Sequence, residues 1–401
     1  MAEWISKTLG EITSFIAKGI SPKYVEEKSQ DTVQVLNQKC NRNFEISYDE
    51  SRIHNATIKR VPDDKFLRYG DVLINSTGTG TAGRVAQLFN VPVPTTMDGH
   101  MILLRPTDEI EPFYYGYAVK SHQKKIESLA EGSTGQTEIN RRRLQEEIVI
   151  TFPKEKVLQK AIGKFLFQID EKIRNNKQIN NNLEQQISAL FINMFGFNID
   201  NLVENKFSLG DLVESVDNRG KTPPLSDKPT SYPIIDVKAL SGDIRIVDYN
   251  NCTKYVDEET YNNWFRSGHP KQYDILISTV GSLAEMKIFL GDIGCIAQNV
   301  VGFRSKGVSP LYLYQYLNYI KSDLVAYNIG SVQPSIKVTH IIKHPIYVAP
   351  QDELDKFDSV ARSITEKIFA NCQENEDLKL LRDTLLPKLM SGELDVSDID
   401  L

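Results

Sequence analysis

Two sets of basic and hydrogen-bonding side chains stand in Gly-, Ser- and Thr-rich stretches of this 401-residue chain. Arg and Gln can pair with guanine and adenine in the major groove, while Lys, Ser and Thr can bind phosphate. Glycine lets backbone amides approach a phosphate closely. These residue types therefore predict DNA contacts. The first set is Lys18, Lys23, Ser76, Thr77, Thr79, Arg84, Gln136, Arg141, Arg142 and Arg143, and the second is Arg219, Lys221, Thr222, Ser278, Thr279, Ser282, Lys287, Gln298, Asn299, Ser331, Gln333 and Lys337.

Each candidate also has a plainer interpretation, which the sequence leaves open. The stretch YGDVLINSTGTGTAGRV, from Tyr69, can simply be a strand that ends in a tight turn. The run from Arg141 to Arg143 can be a solvated helix face. The loop is similar in composition to a nucleotide-binding P-loop, but it lacks the required Lys. Any phosphate bound here is therefore expected to belong to DNA.

Motifs for catalysis and metal binding are missing from the sequence. There is no Asn/Asp-Pro-Pro-aromatic tetrapeptide and no Phe-x-Gly-x-Gly run, as an amino-methyltransferase would need. VPDDKF (Val61–Phe66) is similar to the start of a nuclease motif, but a charged turn is favoured. His340 and His344 lack the Glu of H-E-x-x-H, and the four cysteines are scattered. We expect no catalytic residues, no metal and no cofactor on this chain.

Composition and charge are compatible with a folded, DNA-binding protein. The chain is 40% hydrophobic and 25% charged, and it has neither a membrane-spanning run nor a signal peptide pattern. We therefore expect a cytoplasmic protein that does not contact a membrane. The net charge of −6 argues at first against nucleic acid, but residues 351–401 alone hold 13 acidic and 6 basic side chains. The nearly neutral remainder can still place its basic residues on one face.

The sequence segments that carry the candidates occur twice. Three pairs of similar stretches follow the same order, each separated by about 200 residues, which indicates a tandem duplication. The paired stretches begin at Leu9 and Leu209, at Tyr69 and Tyr273, and at Gly132 and Gly330. Each copy mixes short β-type runs with Gly and Pro turns. The aromatic patches FYYGY and YLYQYLNY suggest either base stacking or, as we favour, core packing.

A long helix is expected to close each copy. Apolar residues three and four apart predict one helix over about 154–194 and another after Pro350. Such helices are stable in water when their apolar faces pack. We predict an α/β (α+β) fold with two tandem recognition domains, whose helices form an antiparallel coiled coil with an approximate two-fold axis. The expected ranges are 1–153 and 199–350 for the recognition domains, 154–198 for the first helical spacer, and 351–401 for the second spacer and tail.

This organisation resembles the specificity subunit of type I restriction–modification systems. The stretches that carry the resemblance are LGEITSF and LGDLVES, GDVLINSTG and YDILISTVGS, GSTGQTEI and GSVQPSI, and LLPKLMSGELDV. The resemblance implies two recognition domains that each read half of an asymmetric, bipartite target in double-stranded DNA. It also implies helices that set the spacing and dock two methyltransferase subunits, which methylate adenine. S-adenosylmethionine is expected on those subunits, with ATP and Mg²⁺ on an associated restriction subunit.

Two other functions are weighed against DNA recognition. A structural adaptor that dimerises a protein partner is disfavoured because the two copies diverge in their loops. A stand-alone methyltransferase or nuclease is disfavoured because the cofactor and metal motifs are missing. The target bases and the spacer length are not predicted, because no code links such loops to a DNA sequence.

Overall fold

The chain divides into two compact units. The structure is a computed structural model that describes residues 3–132, 137–201 and 207–394. The first unit comprises Met1–Ile173 with Asp377–Leu401, and the second comprises Arg174–Glu376. The boundaries lie inside two long helices, so the expected domain limits stay predictions. No helix in the described part of the chain is both long and apolar enough to cross a membrane.

The first unit contains two four-stranded sheets. One is antiparallel with the order β2-β11-β8-β9, and the other has the order β10-β4-β7-β3 with β10 parallel to β4. Its strands are β1 (Trp4–Thr8), β2 (Thr13–Lys18), β3 (Tyr24–Val25), β4 (Thr32–Leu36), β5 (Asn41–Arg42), β6 (Glu45–Ile46), β7 (Arg52–Asn55), β8 (Val72–Asn75), β9 (Val85–Gln87), β10 (Thr95–Met97), β11 (Met101–Pro106), β12 (Ala130–Glu131), β13 (Glu138–Ile139) and β14 (Val149–Pro153). Its helices are α1 (Pro112–Ser121), α2 (Gln123–Ser128), α3 (Arg141–Glu147) and the start of α4 (Lys156–Phe191), with 3₁₀ turns at Gln38–Cys40 and Asp63–Lys65.

The second unit has the same plan. Its strands are β15 (Phe207–Ser208), β16 (Val213–Val216), β17 (Tyr232–Ile235), β18 (Tyr255–Val256), β19 (Ile275–Ser278), β20 (Met286–Ile288), β21 (Cys295–Ile296), β22 (Val300–Ser305) and β23 (Pro345–Ile346). Its helices are α5 (Phe197–Asp200), α6 (Leu209–Leu212), α7 (Glu258–Trp264), α8 (Pro310–Tyr319), α9 (Lys321–Ala326), α10 (Val338–Ile341) and most of α11 (Gln351–Ser391). Shorter helical segments are the π-helix Ile192–Gly196 and the 3₁₀ turns Val237–Leu240 and Tyr249–Asn251.

Strand order confirms the internal repeat. The antiparallel sheet β16-β22-β19-β20 corresponds to β2-β11-β8-β9, and the parallel pair β17 and β21 corresponds to β4 and β10. Strands β15 and β23 pair as β1 and β14 do. Helices α1 and α8 each bury their tyrosines in the core of their own unit, among them Tyr114 and Tyr312. The aromatic patches thus serve core packing, as favoured, and are not stacking surfaces for bases.

A buried ion pair joins the two central strands of each unit. Arg105 Nε and Nη2 donate to the two carboxylate oxygens of Asp71 at 2.7 and 2.8 Å. In the second unit Arg304 donates in the same way to Asp274, at 3.1 and 2.8 Å. Both carboxylates are almost completely buried. Since a slip of one residue would separate the partners, the pair specifies the register of β8 with β11 and of β19 with β22.

The two long helices contact each other through polar side chains within each unit. In the second unit, Asn176 Nδ2 donates to Asn375 Oδ1 at 3.0 Å, and Asn371 Nδ2 donates to Asn180 Oδ1 at 2.7 Å. These asparagines are buried. Buried Asn in a helical seam costs stability but favours one register, because a shifted register leaves amide groups unpaired.

In the first unit, one carboxylate joins both long helices to the recognition domain. Asp170 of α4 accepts a hydrogen bond from Arg382 of α11 at 2.5 Å. Its other oxygen accepts from the Tyr117 hydroxyl of α1 at 2.6 Å. The first recognition domain is therefore held against the helices at a buried, charged contact, which has a strict requirement for hydrogen-bond geometry.

Replacing Asp71 by Asn should destabilise the first unit. The change leaves the Arg105 guanidinium largely buried without its counter-charge, and loss of one partner of such a pair costs about 3 kcal/mol or more. Urea denaturation in a Trp264→Phe background would report this loss through Trp4, the remaining tryptophan. Asp63→Asn is the matched control, because Asp63 and its partner Arg60 are both exposed, and it should change stability by less than about 1 kcal/mol. Equal losses in the two variants would contradict the assigned role of the Asp71–Arg105 pair.

Candidate nucleic-acid interface

Three loops of the first unit meet at the ends of β8 and β11 that lie away from the buried ion pair. Asn75 of β8 is paired with Met101 of β11. Immediately beyond, the Ser76 N–H donates to the His100 carbonyl at 2.8 Å. The Ser76 carbonyl then accepts from the Ile139 N–H at 2.8 Å, which brings in the loop before α3. Residues far apart in sequence are thereby held together by backbone hydrogen bonds.

A polar cluster of Gln38, Thr77 and His100 lies at this junction. The Thr77 hydroxyl oxygen is 2.7 Å from His100 Nδ1 and 3.3 Å from Gln38 Oε1. Gln38 is placed there by Asn75, whose Nδ2 donates to the Gln38 carbonyl at 2.9 Å. Asn75 in turn accepts from Asn41 Nδ2 at 3.2 Å. The cluster is therefore oriented by the buried amide of Asn75, the last residue of β8, which is held in turn by Asn41 of β5.

Basic side chains flank the cluster on both sides. Lys39 and Arg52 line one surface concavity together with two members of the cluster, Gln38 and His100. Lys18 and Arg141 line a second concavity. Glu138 links the second concavity to the cluster, because its backbone forms a bridge with Thr77 and its carboxylate accepts a hydrogen bond from the Lys18 ammonium. Both concavities also contain carboxylates, which are Asp49, Glu50 and Asp98 in the first and Glu131 and Glu138 in the second. The basic side chains are therefore candidates for individual phosphate contacts, and the neutral cluster is a candidate for hydrogen bonds to base edges.

The other candidates of the first set differ in how far their side chains are exposed. The Ser76 side chain is fully buried, so the prediction that it contacts DNA is corrected: its backbone joins loops instead. Arg84 is half-buried and donates to a carbonyl of its own loop at 3.0 Å, so it shapes that loop. Thr79 and Lys23 are exposed. Gln136 lies outside the described residues.

The three arginines of α3 are not equivalent. Arg142 donates to Glu146 at 2.8 Å and Arg143 donates to Glu147 at 2.5 Å, both with the spacing of one helical turn. The alternative of a solvated helix face therefore fits these two residues. Arg141 is exposed and has no ion pair within the described ranges, so its charge is available for a phosphate.

The second unit repeats the three-loop junction. The Thr279 N–H donates to the Asn299 carbonyl at 2.8 Å, and the Ile336 N–H donates to the Thr279 carbonyl at 2.9 Å. Thr279 therefore has the position of Ser76, and Asn299 has the position of His100. The scaffold of the junction is the same in both units.

The side chains presented at this second junction differ from those in the first. Val280 follows Thr279 at the position where the first unit has Thr77, and it forms the corresponding backbone bridge. Gln298 donates to the Thr222 hydroxyl at 3.0 Å. Arg219 is tied to Asp217 by bonds of 2.5 to 3.0 Å. The candidates Lys221, Thr222, Ser282, Ser331, Gln333 and Lys337 are exposed, and Gln298 and Asn299 are half-buried.

Three candidates of the second unit need correction. The side chains of Ser278 and Thr279 are fully buried, and the Ser278 hydroxyl donates to the Ser282 carbonyl at 2.5 Å. Lys287 is 2% exposed, and its ammonium donates to the carbonyls of Gly242 and Ile244. Burial lowers the pKa of Lys287 to about 8, against the opposing effect of nearby carboxylates. These side chains hold loops in place and do not present groups to DNA.

The histidine pair considered in the sequence has a local structural role. His344 lies 2.9 Å from the Tyr327 hydroxyl through Nδ1. Across the described residues, no group of three or more His, Cys, Asp or Glu side chains is arranged to hold a metal ion. 

Sequence reasoning missed Gln38 and His100. A signal for His100 existed: it stands directly before β11, as the candidate Asn299 stands directly before β22. Aligning the repeat across this strand start would have paired the two residues. Gln38 had no comparable signal, because its approach to Thr77 depends on the contact with Asn75.

Comparisons with known proteins agree with this organisation. A family model described as "Type I restriction modification DNA specificity domain" matches residues 1–185 and 203–370. A curated relative, the type I restriction enzyme MjaIX specificity subunit of Methanocaldococcus jannaschii, is 25% identical over 420 residues, covering 99% of this chain and 95% of that protein. The crystal structure of the S subunit of a type I restriction–modification system from M. genitalium has a similar fold, with a TM-score of 0.55 at 18% identity over 97% of this chain and 96% of that one.

Arg141→Ala should weaken binding to a duplex of random sequence. Loss of one phosphate contact should reduce the slope of log K against log salt by about 1. Fluorescence anisotropy with a labelled duplex across a salt series measures this slope. Lys156→Ala removes the same charge from an exposed position at the start of α4 and should leave the slope unchanged. Identical slopes for the two variants would exclude Arg141 as a phosphate contact.

Lys287 should make the stability of the second unit depend on pH. Between pH 8 and about 10 the folded chain has released this proton while the unfolded chain, with its ordinary Lys pKa, still holds it, so stability rises with pH by up to about 1.4 kcal/mol per unit. Below pH 8 both the folded and the unfolded chain hold this proton, so Lys287 no longer makes the stability depend on pH. The difference in unfolding free energy between wild type and Lys287→Met should therefore shift in favour of wild type across this window. A pH-independent difference would contradict the lowered pKa.

Proposed function

Because the chain belongs to the type I restriction–modification DNA specificity family, it is a DNA sequence-recognition subunit, and we propose that its two recognition domains each read one half of an asymmetric, bipartite target. One observation carries this proposal. The same backbone junction presents Thr77 and His100 in the first unit but Val280 and Asn299 in the second. Equivalent positions with different hydrogen-bonding groups favour different base pairs.

The long helices are proposed to set the gap between the two half-sites. We infer that α4 and α11 form an antiparallel coiled coil with an approximate two-fold axis. The paired asparagines support this arrangement, because Asn176 meets Asn375 whereas Asn180, further along α4, meets the earlier Asn371 on α11. Two-fold-related modules on duplex DNA read half-sites at a separation set by their spacer.

The same helices are proposed to dock the catalytic partners. Exposed apolar side chains on α4 and α11 include Val157 at 83% and Leu380 at 70%, and Phe197 on α5 is 78% exposed. Such residues are candidates for contact with two methyltransferase subunits, which would hold S-adenosylmethionine and methylate adenine in each half-site. A restriction subunit that uses ATP and Mg²⁺ is the further partner expected. This chain itself would be non-catalytic, in keeping with the missing catalytic motifs of its sequence.

Methylation mapping tests this function directly. The chain would be co-expressed with its methyltransferase partner in a host without other adenine methylation, and methylated adenines would be located by long-read sequencing. We expect a split motif with two unlike halves and one fixed gap. Expression of the methyltransferase without this chain is the control and should leave the motif unmethylated. A continuous palindrome would contradict the proposal.

A further inference from the structure

We propose that Gln38, Thr77 and His100 together read one adenine in the half-site bound by the first unit. This inference rests on the proposed function, and it adds the residues and the base. Two of the three side chains had no candidate status from sequence alone. The inference depends on how their hydrogen-bonding groups are held and on which of those groups stay unused.

The backbone around each member of the cluster is fixed before any ligand binds. The Gln38 carbonyl accepts from the buried Asn75 amide at 2.9 Å. The His100 N–H donates to Asp98, whose carboxylate is largely buried, at 2.9 Å. Thr77 is held by its bridge to Glu138. All three side chains therefore extend from rigid positions, as a site for base recognition requires.

The hydrogen bonds within the cluster determine which donor and acceptor groups remain free. The Thr77 hydroxyl has one hydrogen and donates it to Gln38 Oε1 at 3.3 Å. With that hydrogen used, we assign the 2.7 Å contact with His100 Nδ1 as a hydrogen bond that the imidazole donates. A neutral imidazole with its proton on Nδ1 has an acceptor at Nε2.

The free groups are therefore one acceptor and one donor. His100 Nε2 and the amide nitrogen of Gln38 have no hydrogen-bond partner in the described part of the chain, and His100 is exposed. The concavity beside them is lined by exposed Lys39 and Arg52 and also by the carboxylates of Asp49, Glu50 and Asp98. The free donor and acceptor are thus in a position where DNA can approach.

Adenine matches this pair of groups in the major groove. Its N6 amino group is a donor for His100 Nε2, and its N7 is an acceptor for the Gln38 amide. Guanine offers two acceptors at this edge, so its O6 would face the acceptor of His100. Cytosine offers only a donor and thymine an acceptor with a methyl group, so each leaves one member of the cluster unpaired.

The second unit cannot present the same pattern. Val280 has no hydroxyl to bridge its neighbours, and Asn299 replaces the imidazole. The assignment is therefore confined to the first half-site. It also shows that this backbone accepts valine at the position of Thr77, so Thr77→Val is a substitution that the fold already uses.

The test compares base preferences of the chain in complex with its methyltransferase partner. Duplexes with randomised half-sites would be selected by binding and sequenced for wild type, Thr77→Val and Gln38→Glu. Thr77→Val removes the group that sets the imidazole tautomer, so discrimination between adenine and guanine should fall about tenfold at one position. Gln38→Glu replaces the donor by an acceptor, and the same position should shift towards cytosine, whose N4 is a donor.

The matched control is Gln298→Glu, which introduces the same charge in the second unit and should leave the first half-site unchanged. If both cluster variants keep the wild-type adenine preference, or if they affect different positions, the inference is overturned while the bipartite function stands. If wild type itself selects no bipartite sequence, the proposed function fails. Weakened binding by Gln38→Glu alone, with unchanged preferences in Thr77→Val, also counts against the inference.

Discussion

The register between the two central strands of each unit is the constraint on which the rest of the structure depends. In the first unit, the bidentate pair of Asp71 and Arg105 lies near one end of β8 and β11, and the three-loop junction lies at the other. A slip of one residue would send every side chain of a strand to the opposite face. It would also separate Thr77 from His100. A buried charge pair with demanding geometry is thus used to fix a polar site several residues away.

The register constraint is the same in both units, but the side chains at the ends of the strands differ. The second unit keeps the ion pair through Asp274 and Arg304 and keeps the loop junction through Thr279 and Asn299. The core can therefore stay the same while the groups at the ends of the strands change. This separation of stability from recognition would let one duplicated fold read the two unlike half-sites proposed above.

Much of the fold was accessible from the sequence because it depends on local patterns and on repetition. VLIN and ILIS are the strands β8 and β19, and the apolar spacing located α4 and α11 to within a few residues at their starts. Burial of particular polar residues was not accessible. Lys287 lies in the strand sequence MKI, all three of whose residues are buried, and only tertiary contacts show that carbonyls surround its ammonium.

The polar cluster marks the limit of sequence reasoning for a physical reason. Gln38 and Thr77 meet through a buried amide on a third residue, and His100 joins them through strand pairing. None of these contacts is between near neighbours in the chain. The charged residues of α3 show the converse case: the sequence left open a solvated helix face, and Arg142 and Arg143 pair with Glu146 and Glu147 one turn further along this helix.

The pre-assembled state of the cluster has a consequence for the time spent on DNA. Side chains that are already hydrogen-bonded to one another lose little rotamer freedom on contact with a base, so little of the binding free energy is spent on ordering them. A mismatched base then leaves a rigid donor or acceptor unpaired, with no rearrangement to rescue it. Differences of this kind act mainly on dissociation rates. The chain is therefore expected to leave wrong sequences quickly and to dwell on correct ones, which shortens its search along a genome.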